Sequence, residues 1–487
     1  MTTQSYSPTR RQILTGLAST AAVSSAGPTS ARNLKAVHDY AAETAVSIAG
    51  GRSIELGLLM PNGSGANVNP VIKAFKAATG ISIRPIETPV DEINVQLTLD
   101  TLGGAGNYDL ALPATFGLPD LVSAGAIVSL SGYAQKHETK GFRQGVLYQT
   151  GDSFDGQLYG FQADGDAYVM FYHKDLLNNA DEKARFSDRF GYELTVPSTW
   201  AELDQQIAFF NRPDEGLGGG LLFRTPAYVA WEWWVRFHAK GYWPMSSDLE
   251  PQIASEAGVL ALEDLIRVTE HLCPETSTLG LFENWQRFEK GDIYCNIGWG
   301  GTQKHLNRTD SKMRNRLVFG PTPGGLVEDE LLLTPYFNWG WNYVVTSQAK
   351  EPEIAYLFAL FASSSEMSTQ SVRQPDGYFD PFRPEHYQDR KIREAYSDDF
   401  LKVHSESMRN AIPDLYLAHQ GEYFRVLTEW LRRALQGEVS PEDALQRVSE
   451  HWTLISVRTG FQKQKERWLQ LRQKYPEDVR ARLRDYL

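Results

Sequence analysis

Apolar and polar positions follow two alternating periods in the first part of the chain. Residues 53–60, SIELGLLM, form a short apolar run that predicts a buried strand, and a Pro-Asn-Gly-Ser turn ends it. Residues 69–80 then place apolar side chains on one face at helical spacing, and a second strand is predicted at 81–86. Strand, helix and strand in this order predict a βαβ unit of a parallel sheet.

The same patterning continues along the chain. Further strands are predicted at 108–113, 158–172, 221–223 and 318–323, and a helix is predicted to begin after Ser198 or Thr199. The glycine-rich stretch 216–220 lacks the Lys-Ser/Thr ending of a phosphate loop, so we interpret it as a turn. Because 487 residues exceed what one core supports at about 150 residues per domain, two large α/β lobes are expected.

Residues 336–345, YFNWGWNYVV, make an unusual strand because tryptophan and asparagine stand where a buried strand would carry Val or Ile. Strand alternation places Trp339 and Trp341 on one face and Asn338 on the other, unless Gly340 breaks the alternation. We therefore expect the Trp pair to contact a ligand, with Asn338 a weaker candidate. The alternative for Trp341 is a place in the hydrophobic core.

Composition narrows the class of ligand. The formal net charge of −12 disfavours binding to nucleic acid or to anionic membranes, and the sequence contains no apolar run near the roughly 20 residues that span a bilayer. Aromatic residues make up 12% of the chain, with 12 tryptophans. Aromatic rings pack against the C–H faces of sugars while amides and carboxylates bind the hydroxyls, so a carbohydrate ligand is favoured.

The N-terminus has the features of an export signal. Arg10 and Arg11 precede a weakly apolar stretch and then small residues, as in a twin-arginine-type signal peptide, so residues 1–31 are expected to be cleaved, after Ala31 or Ala26. The mature protein is then expected to be free in the periplasm. Cys273 and Cys295 could pair there or remain as two buried thiols, and no structural zinc or other metal site is expected.

Several phrases in order along the chain resemble one family, the extracellular solute-binding proteins of bacterial ABC importers, in the sugar-binding branch that includes maltodextrin-binding proteins. Each phrase is weak alone, but together they extend over about 400 residues. Departures include Gln162, where proline is usual, and His173, where asparagine is usual. The matching phrases are AF…TGI at 74–81, YDL at 108–110, LYG at 158–160, FYHKDL at 171–176, PSTW at 197–200, FEKG at 288–291, GW at 340–341 and LQGEVSPEDA at 435–444.

The resemblance implies a periplasmic binding protein fold of type II character, in which two α/β lobes close on a ligand about crossing hinge strands. The first lobe is expected to comprise residues 52–162 and 342–404. The second is expected to comprise residues 163–341 and 405–487, ending in helices. The crossings would then lie near Ala163, Trp341 and His404.

The resemblance and the residue chemistry together give a set of expected ligand contacts. Arg383 is the weakest member, because it could instead pair with Asp376 or Asp380. Asp164 could instead cap a turn. The expected contacts are Asn62, Ser64, Thr115, Asp164, Asp166, Tyr228, Trp231, Trp299, Asn338, Trp339, Trp341 and Arg383.

The resemblance implies a monomeric, cofactor-free binding protein that delivers a sugar to the permease of an ABC importer. A polyol, a glycerophosphodiester or a polyamine remains an alternative ligand, and a role in chemoreception is not separable from transport. An exported glycosidase that uses Asp164 and Asp166 as its acid pair is the alternative from another class.

Overall fold

The computed structural model describes residues 28–486, with side chains described from residue 37 onward. The predicted signal peptide, residues 1–31, therefore falls almost wholly outside the described residues. The α-helices are α1 Pro28–Ala49, α2 Gly65–Thr79, α3 Ile93–Gly103, α4 Leu118–Ser123, α5 Ser131–His137, α6 Lys174–Asn178, α7 Ala180–Phe190, α8 Trp200–Phe210, α9 Val229–His238, α10 Glu256–Thr269, α11 Leu281–Phe288, α12 Gly300–Leu306, α13 Pro352–Ala362, α14 Ser365–Val372, α15 Arg390–Tyr396, α16 Asp398–Arg409, α17 Gln420–Leu435, α18 Pro441–Arg458, α19 Phe461–Arg472 and α20 Glu477–Arg480. The strands are β1 Glu55–Pro61, β2 Ser82–Thr88, β3 Leu110–Ala111, β4 Ser153–Phe154, β5 Gln157–Leu158, β6 Gly160–Gln162, β7 Val169–His173, β8 Gly218–Leu221, β9 Ile293–Gly298, β10 Leu317–Pro321, β11 Gly325–Val327, β12 Glu330–Leu332 and β13 Asn342–Val345.

The first lobe is built on a five-stranded sheet with the order β2-β1-β3-β13-β6. Strands β1 and β2 are parallel and joined through α2, which confirms the predicted βαβ unit. Helix α2 ends as predicted, because Gly80 adopts φ 73° and its N–H donates to the carbonyl of Lys76. The helix begins earlier than predicted, at Gly65, because Pro70 lies in its second turn rather than before it.

The second lobe is built on a four-stranded sheet with the order β10-β7-β9-β8. The turn predicted at 216–220 is confirmed only at Gly216, which has φ 73°, and is wrong beyond it, since Gly218–Leu221 form strand β8, which pairs in parallel with β9. The glycines of β8 allow helix α8 to pack closely against the strand. A Cβ on Gly219 would lie 2.3 Å from the carbonyl oxygen of Ile207 in α8, so a larger residue would push the helix away from the sheet.

The chain crosses between the sheets where residues 163–168 join β6 to β7 and where residues 333–341 join β12 to β13. The two crossings touch, because Ala167 forms an antiparallel bridge with Phe337. These positions agree with the crossings expected near Ala163 and Trp341.

The third crossing comes earlier than expected. Helix α14 packs on α2 of the first lobe, whereas α15 packs on α12 and α16 packs on β10 and β7 of the second. The chain therefore passes between lobes in residues 373–389, and the boundary expected at His404 falls inside a helix of the second lobe. Sequence patterning missed this because α13, α14, α15 and α16 follow one another without an intervening strand.

Both termini of the described chain pack on the lobes. Helix α1 packs against α13 of the first lobe and buries Val37, Ala41 and Ala45, so that lobe includes residues before the expected start at 52. Helix α17 packs on α9 and also touches α4 of the first lobe.

Within the described part of the chain, no helix has the length and apolar character needed to cross a bilayer. Cys273 and Cys295 are both buried and free.

Candidate functional site

A small cavity lies between the lobes at the crossing segments. Its volume is about 20 Å³, room for about one water molecule, whereas ligand pockets commonly span about 300–1,000 Å³. The lobes thus stand closed over the cavity, and a sugar-sized ligand requires them to open about the hinge. The lining residues are Val90, Asp166, Leu281, Trp285, Trp299, Gly301, Trp339, Trp341 and Tyr378.

The backbone of the second crossing departs from a regular strand at the site. Trp339 has φ 74° and Gly340 has φ 63°, so two consecutive residues adopt left-handed conformations. Trp339 and Trp341 both line the cavity, and Asn338 does not. A tryptophan in this region of φ is strained and is held there by its surroundings.

Aromatic side chains surround the Trp339 ring. The ring of Tyr228 stacks on it at 5.7 Å with an interplanar angle of 19°, and the Trp231 ring meets it edge-on at 5.3 Å. Trp299 and Trp341 meet it edge-on at 6.2 Å and 5.9 Å. Tyr228 and Trp231 thus support the cavity wall from behind, and they come from the start of α9, where a ring was expected to face the cleft.

Trp299 and Asn338 are joined directly. The indole Nε1 of Trp299 donates to the side-chain Oδ1 of Asn338 at 3.1 Å, and it also lies 3.3 Å from the main-chain carbonyl oxygen of Asn338. The Trp299 ring packs at 4.8 Å on Tyr168. Asn338 therefore orients a ring of the cavity wall, although it is not itself part of that wall.

Three buried carboxylates meet at the floor of the site. Asp164, Asp166 and Asp380 each offer an oxygen within 4.8 Å of the other two. Asp166 Oδ2 accepts the N–H of Gly340 at 3.0 Å, and Asp380 Oδ2 accepts the N–H of Gly300 at 2.6 Å. Asp164 Oδ1 accepts the main-chain N–H groups of its neighbour Gly165 and of Asp380. These bonds match the turn-capping role that the sequence offered as the alternative to ligand contact.

Burial and mutual repulsion raise the pKa values of the three carboxyls in this cluster. Desolvation, and then the neighbouring carboxylates, raise the pKa of Asp164 and of Asp166 well above the usual range. Desolvation also raises the pKa of Asp380 to about 6, although the Lys304 ammonium and hydrogen bonds from Tyr396 and Asp166 oppose that rise. Burial in turn lowers the pKa of Lys304 to about 8, against the attraction of Asp380 and Asp164.

Lys304 is the buried cation nearest the cluster, and backbone carbonyls hold it. Its Nζ donates to the carbonyl oxygens of Val372, Phe379 and Gln374 at 2.8, 3.0 and 3.2 Å. These three residues belong to the third crossing segment or end the helix before it. Lys304 therefore fixes that segment against α12 and places Asp380 beside Asp164 and Asp166.

Three expected contacts from the first lobe lie outside the cavity wall. Asn62 is exposed, and its carbonyl oxygen accepts the Tyr378 hydroxyl at 3.2 Å. Ser64 is buried and donates to the carbonyl oxygen of Pro61. Thr115 bonds the side chain of Asn342 and serves the hinge rather than the cavity. The 62–64 loop therefore reaches the site through Tyr378.

Arg383 lies away from the site. Its guanidinium donates to the carbonyl oxygens of Ser363 at 2.8 Å and Phe142 at 3.4 Å, within the first lobe. Pairing with Asp376 or Asp380, the alternative considered from sequence, is likewise not formed among the described residues. Desolvation lowers the pKa of Arg383 to about 10, which is typical of a cation buried among carbonyls and rings.

Sequence reasoning missed several residues of this region, of which Tyr378, Asp380 and Trp285 had a signal. Tyr378 and Asp380 lie in the stretch DGYFDPF, where aromatic and acidic residues alternate beside a turn. Trp285 lies beside the FEKG phrase of the family resemblance. Lys304 carried no signal, since one lysine on a helix is ordinarily exposed.

Solved structures share this architecture. Maltose-bound MalE3 of T. maritima matches with a TM-score of 0.70 at 16% identity, over 83% of this chain and 100% of its own. An ABC transporter solute-binding protein of Agrobacterium radiobacter in complex with ribitol matches with a TM-score of 0.71 at 18% identity, over 82% of this chain and 98% of its own. At such identities these likenesses establish the two-lobed α/β binding-protein fold.

Curated relatives match over a shorter stretch. Putative binding proteins of Brucella abortus and Brucella suis are 32% identical over 146 residues, which is 30% of this chain. The match spans about a third, 32%, of those relatives' own length.

A family model described as bacterial extracellular solute-binding protein matches residues 71–399, which include every strand of the two large sheets except β1 and all three crossings. This match covers more than half of the chain. The chain belongs to the bacterial extracellular solute-binding protein family.

Proposed function

We propose that the protein is the substrate-binding component of an ABC importer, which captures a sugar or a polyol between its lobes and delivers it to a membrane permease. The observation that carries the proposal is the interlobe cavity, where Trp299, Trp339 and Trp341 converge beside the Asp166 carboxyl at a hinge. The flat rings suit the C–H face of a sugar or polyol, and the carboxyl suits its hydroxyls. The importer role is inferred from the family to which the chain belongs.

The known complexes of similar proteins support this class of ligand. Among the structures that share the fold, one holds maltose, one ribitol and another, from Agrobacterium vitis, D-mannitol.

We further propose that the site binds without turnover. The alternative glycosidase would need Asp164 and Asp166 to flank a glycosidic bond. Within the described residues, Asp166 lines the cavity, whereas Asp164 lies behind it and accepts two main-chain N–H groups. One cavity-lining carboxyl cannot provide both halves of the acid pair.

The remaining expectations belong to the same proposal. The protein would be exported by the twin-arginine signal in residues 1–31, act as a monomer in the periplasm and use no cofactor. The ligand contacts would be Asp166, Trp299, Trp339 and Trp341 from the expected set, with Tyr378 and Trp285 added.

Titration calorimetry against a panel of monosaccharides, disaccharides and polyols tests the proposal. A single binding stoichiometry is expected, together with a change in tryptophan fluorescence, because ligand would contact three indole rings. Reducing-sugar release should stay at background. Heat of binding absent across the whole panel, or turnover that disappears in Asp166→Asn, would contradict the proposal.

A further inference from the structure

Three carboxyl groups lie at the floor of the cavity, and the described residues around them supply fewer positive charges than these carboxyls would carry negative charges if all were ionised. Carboxylate oxygens of Asp164, Asp166 and Asp380 lie within 4.8 Å of one another, and the Lys304 charge acts on Asp164 and Asp380. The Lys304 ammonium donates to three carbonyl oxygens rather than to a carboxylate. Buried carboxylates side by side are costly to ionise unless positive charge is supplied. Burial raises the pKa values of these carboxyls, and a cationic ligand would favour their ionised form.

Unpartnered polar atoms mark the same place. Asp164 is fully buried, and its Oδ2 accepts no hydrogen bond from any described residue. The indole Nε1 of Trp339 and the amide Nδ2 of Asn338 are buried donors that likewise lack an acceptor in the described part of the chain. Buried polar groups are normally paired. A complementary ligand would therefore carry a donor for the acid cluster and acceptors for nearby N–H groups.

The walls suit a ligand with both a positive charge and a ring or chain of C–H groups. Trp285, Trp299, Trp339, Trp341 and Tyr378 present five aromatic rings around the Asp166 carboxyl. An ammonium is attracted to the face of an aromatic ring as well as to a carboxylate. The C–H faces of a carbohydrate pack on the same rings.

We propose that the cleft takes a small hydroxylated ligand that carries a protonated amine, either an amino sugar or an amino polyol, with its ammonium at Asp166 and its carbon skeleton against the tryptophans. This inference rests on the proposed function, because it specifies the ligand class of the same site. The hydroxyl oxygens of such a ligand supply acceptors for indole N–H groups, and its ammonium supplies the missing counter-charge.

A bare divalent cation fits these carboxylates less well. Oxygens of all three already accept main-chain N–H groups, from Gly165, Gly300, Gly340 and Asp380. Calcium takes about 6–8 oxygen ligands and magnesium requires near-octahedral geometry. The aromatic walls supply no further oxygen ligands beyond the Tyr378 hydroxyl, which already donates to the carbonyl oxygen of Asn62.

Matched ligand pairs test the inference in the full-length mature protein. Calorimetry with glucosamine against glucose, and with glucamine against sorbitol, compares ligands that differ by one amine. In at least one pair, the amine is expected to bind about tenfold more tightly than its neutral counterpart, or better, in line with measured couplings of close charge pairs. Asp166→Asn should remove that preference, whereas Asp376→Asn, an exposed acid four residues before Asp380, should retain it.

The remaining outcomes separate this inference from the function on which it rests. If glucose or sorbitol binds as tightly as its amine counterpart, the inference is overturned and the carbohydrate-binding function stands. If neither member of either pair nor any sugar of the wider panel binds, both are overturned. If calcium or magnesium chloride raises the melting temperature and the amines do not, the cluster is a metal site and the inference is overturned.

Discussion

The main-chain N–H of Gly340 donates a 3.0 Å hydrogen bond to Oδ2 of Asp166. This bond joins the first and second crossing segments at the wall of the cavity. It lies where Trp339 and Gly340 both adopt a left-handed backbone. Opening and closing of the lobes must therefore act on the same few residues that would contact the ligand.

Gly340→Ala is expected to lower the free energy of unfolding by about 2–4 kcal/mol, since φ of 63° strains an alanine and the added Cβ overpacks the site. That Cβ would lie 2.6 Å from the Phe337 ring and 2.9 Å from the Thr115 hydroxyl. Urea unfolding measures the change. Gly437→Ala is the matched control, because Gly437 has φ of 72° with nothing within 4 Å of an added Cβ. Equal losses in the two variants would show that packing around Gly340 contributes nothing.

Trp341→Phe is expected to weaken ligand binding about 3- to 10-fold, because phenylalanine offers a smaller stacking face at the cavity wall. Trp430→Phe, on the outer part of α17 and outside the cavity wall, should bind the ligand as the unmodified protein does. Calorimetry with the best ligand of the panel gives both affinities. Unchanged affinity in Trp341→Phe would mean that the ring serves the hinge core, the alternative raised by the sequence.

The fold was predictable because its signals are local. The SIELGLLM strand, the α2 helix with its Gly80 cap and the capping box at Thr199 each depend on neighbouring residues, and the structure contains all three. The turn predicted at 216–220 was wrong beyond Gly216, because the glycines of β8 allow α8 to pack closely against the strand. The first two crossings followed from the family resemblance, whereas the third has no strand to mark it.

The site was predictable only in part. The sequence indicated the tryptophans and Asp166 through composition and resemblance, and the cavity wall contains Trp299, Trp339, Trp341 and Asp166. Asp380 approaches Asp166 from a segment more than 200 residues away, so no local pattern relates them. The local backbone at the site was not predictable, because Trp339 adopts a left-handed conformation that strand periodicity does not anticipate.

Arg383→Lys is expected to destabilise the protein by about 1–3 kcal/mol without changing ligand affinity. Lysine cannot reproduce the planar guanidinium that reaches the carbonyl oxygens of Ser363 and Phe142 together, and a buried acceptor is costly to leave unpaired. Urea unfolding and calorimetry on the same preparations measure the two effects. Arg390→Lys, an exposed position, should change neither. A selective loss of affinity in Arg383→Lys would restore the ligand contact expected from the sequence.

Stability without ligand should fall as pH rises through the range in which the acid cluster ionises. The pKa of Asp380 in the folded protein is raised from 3.8 to about 6, and desolvation raises the pKa of Asp164 and Asp166 further. The folded state therefore binds protons that the unfolded state has already released. This contribution is complete below the unfolded pKa and is lost as pH rises through the folded pKa.

Asp166→Asn should reduce that loss, because asparagine keeps the hydrogen-bonding shape of a protonated carboxyl but does not ionise. Melting temperatures measured between about pH 4.5 and pH 7.5 should fall less steeply in Asp166→Asn than in the unmodified protein. Asp152 and Asp414, buried acids whose pKa values are also raised to about 6, contribute equally to both proteins and cancel in the comparison. The exposed control Asp376→Asn should keep the original slope. Parallel melting profiles for Asp166→Asn and the unmodified protein would show that Asp166 ionises freely in the closed cleft, and that the cluster does not need the positive charge of a ligand.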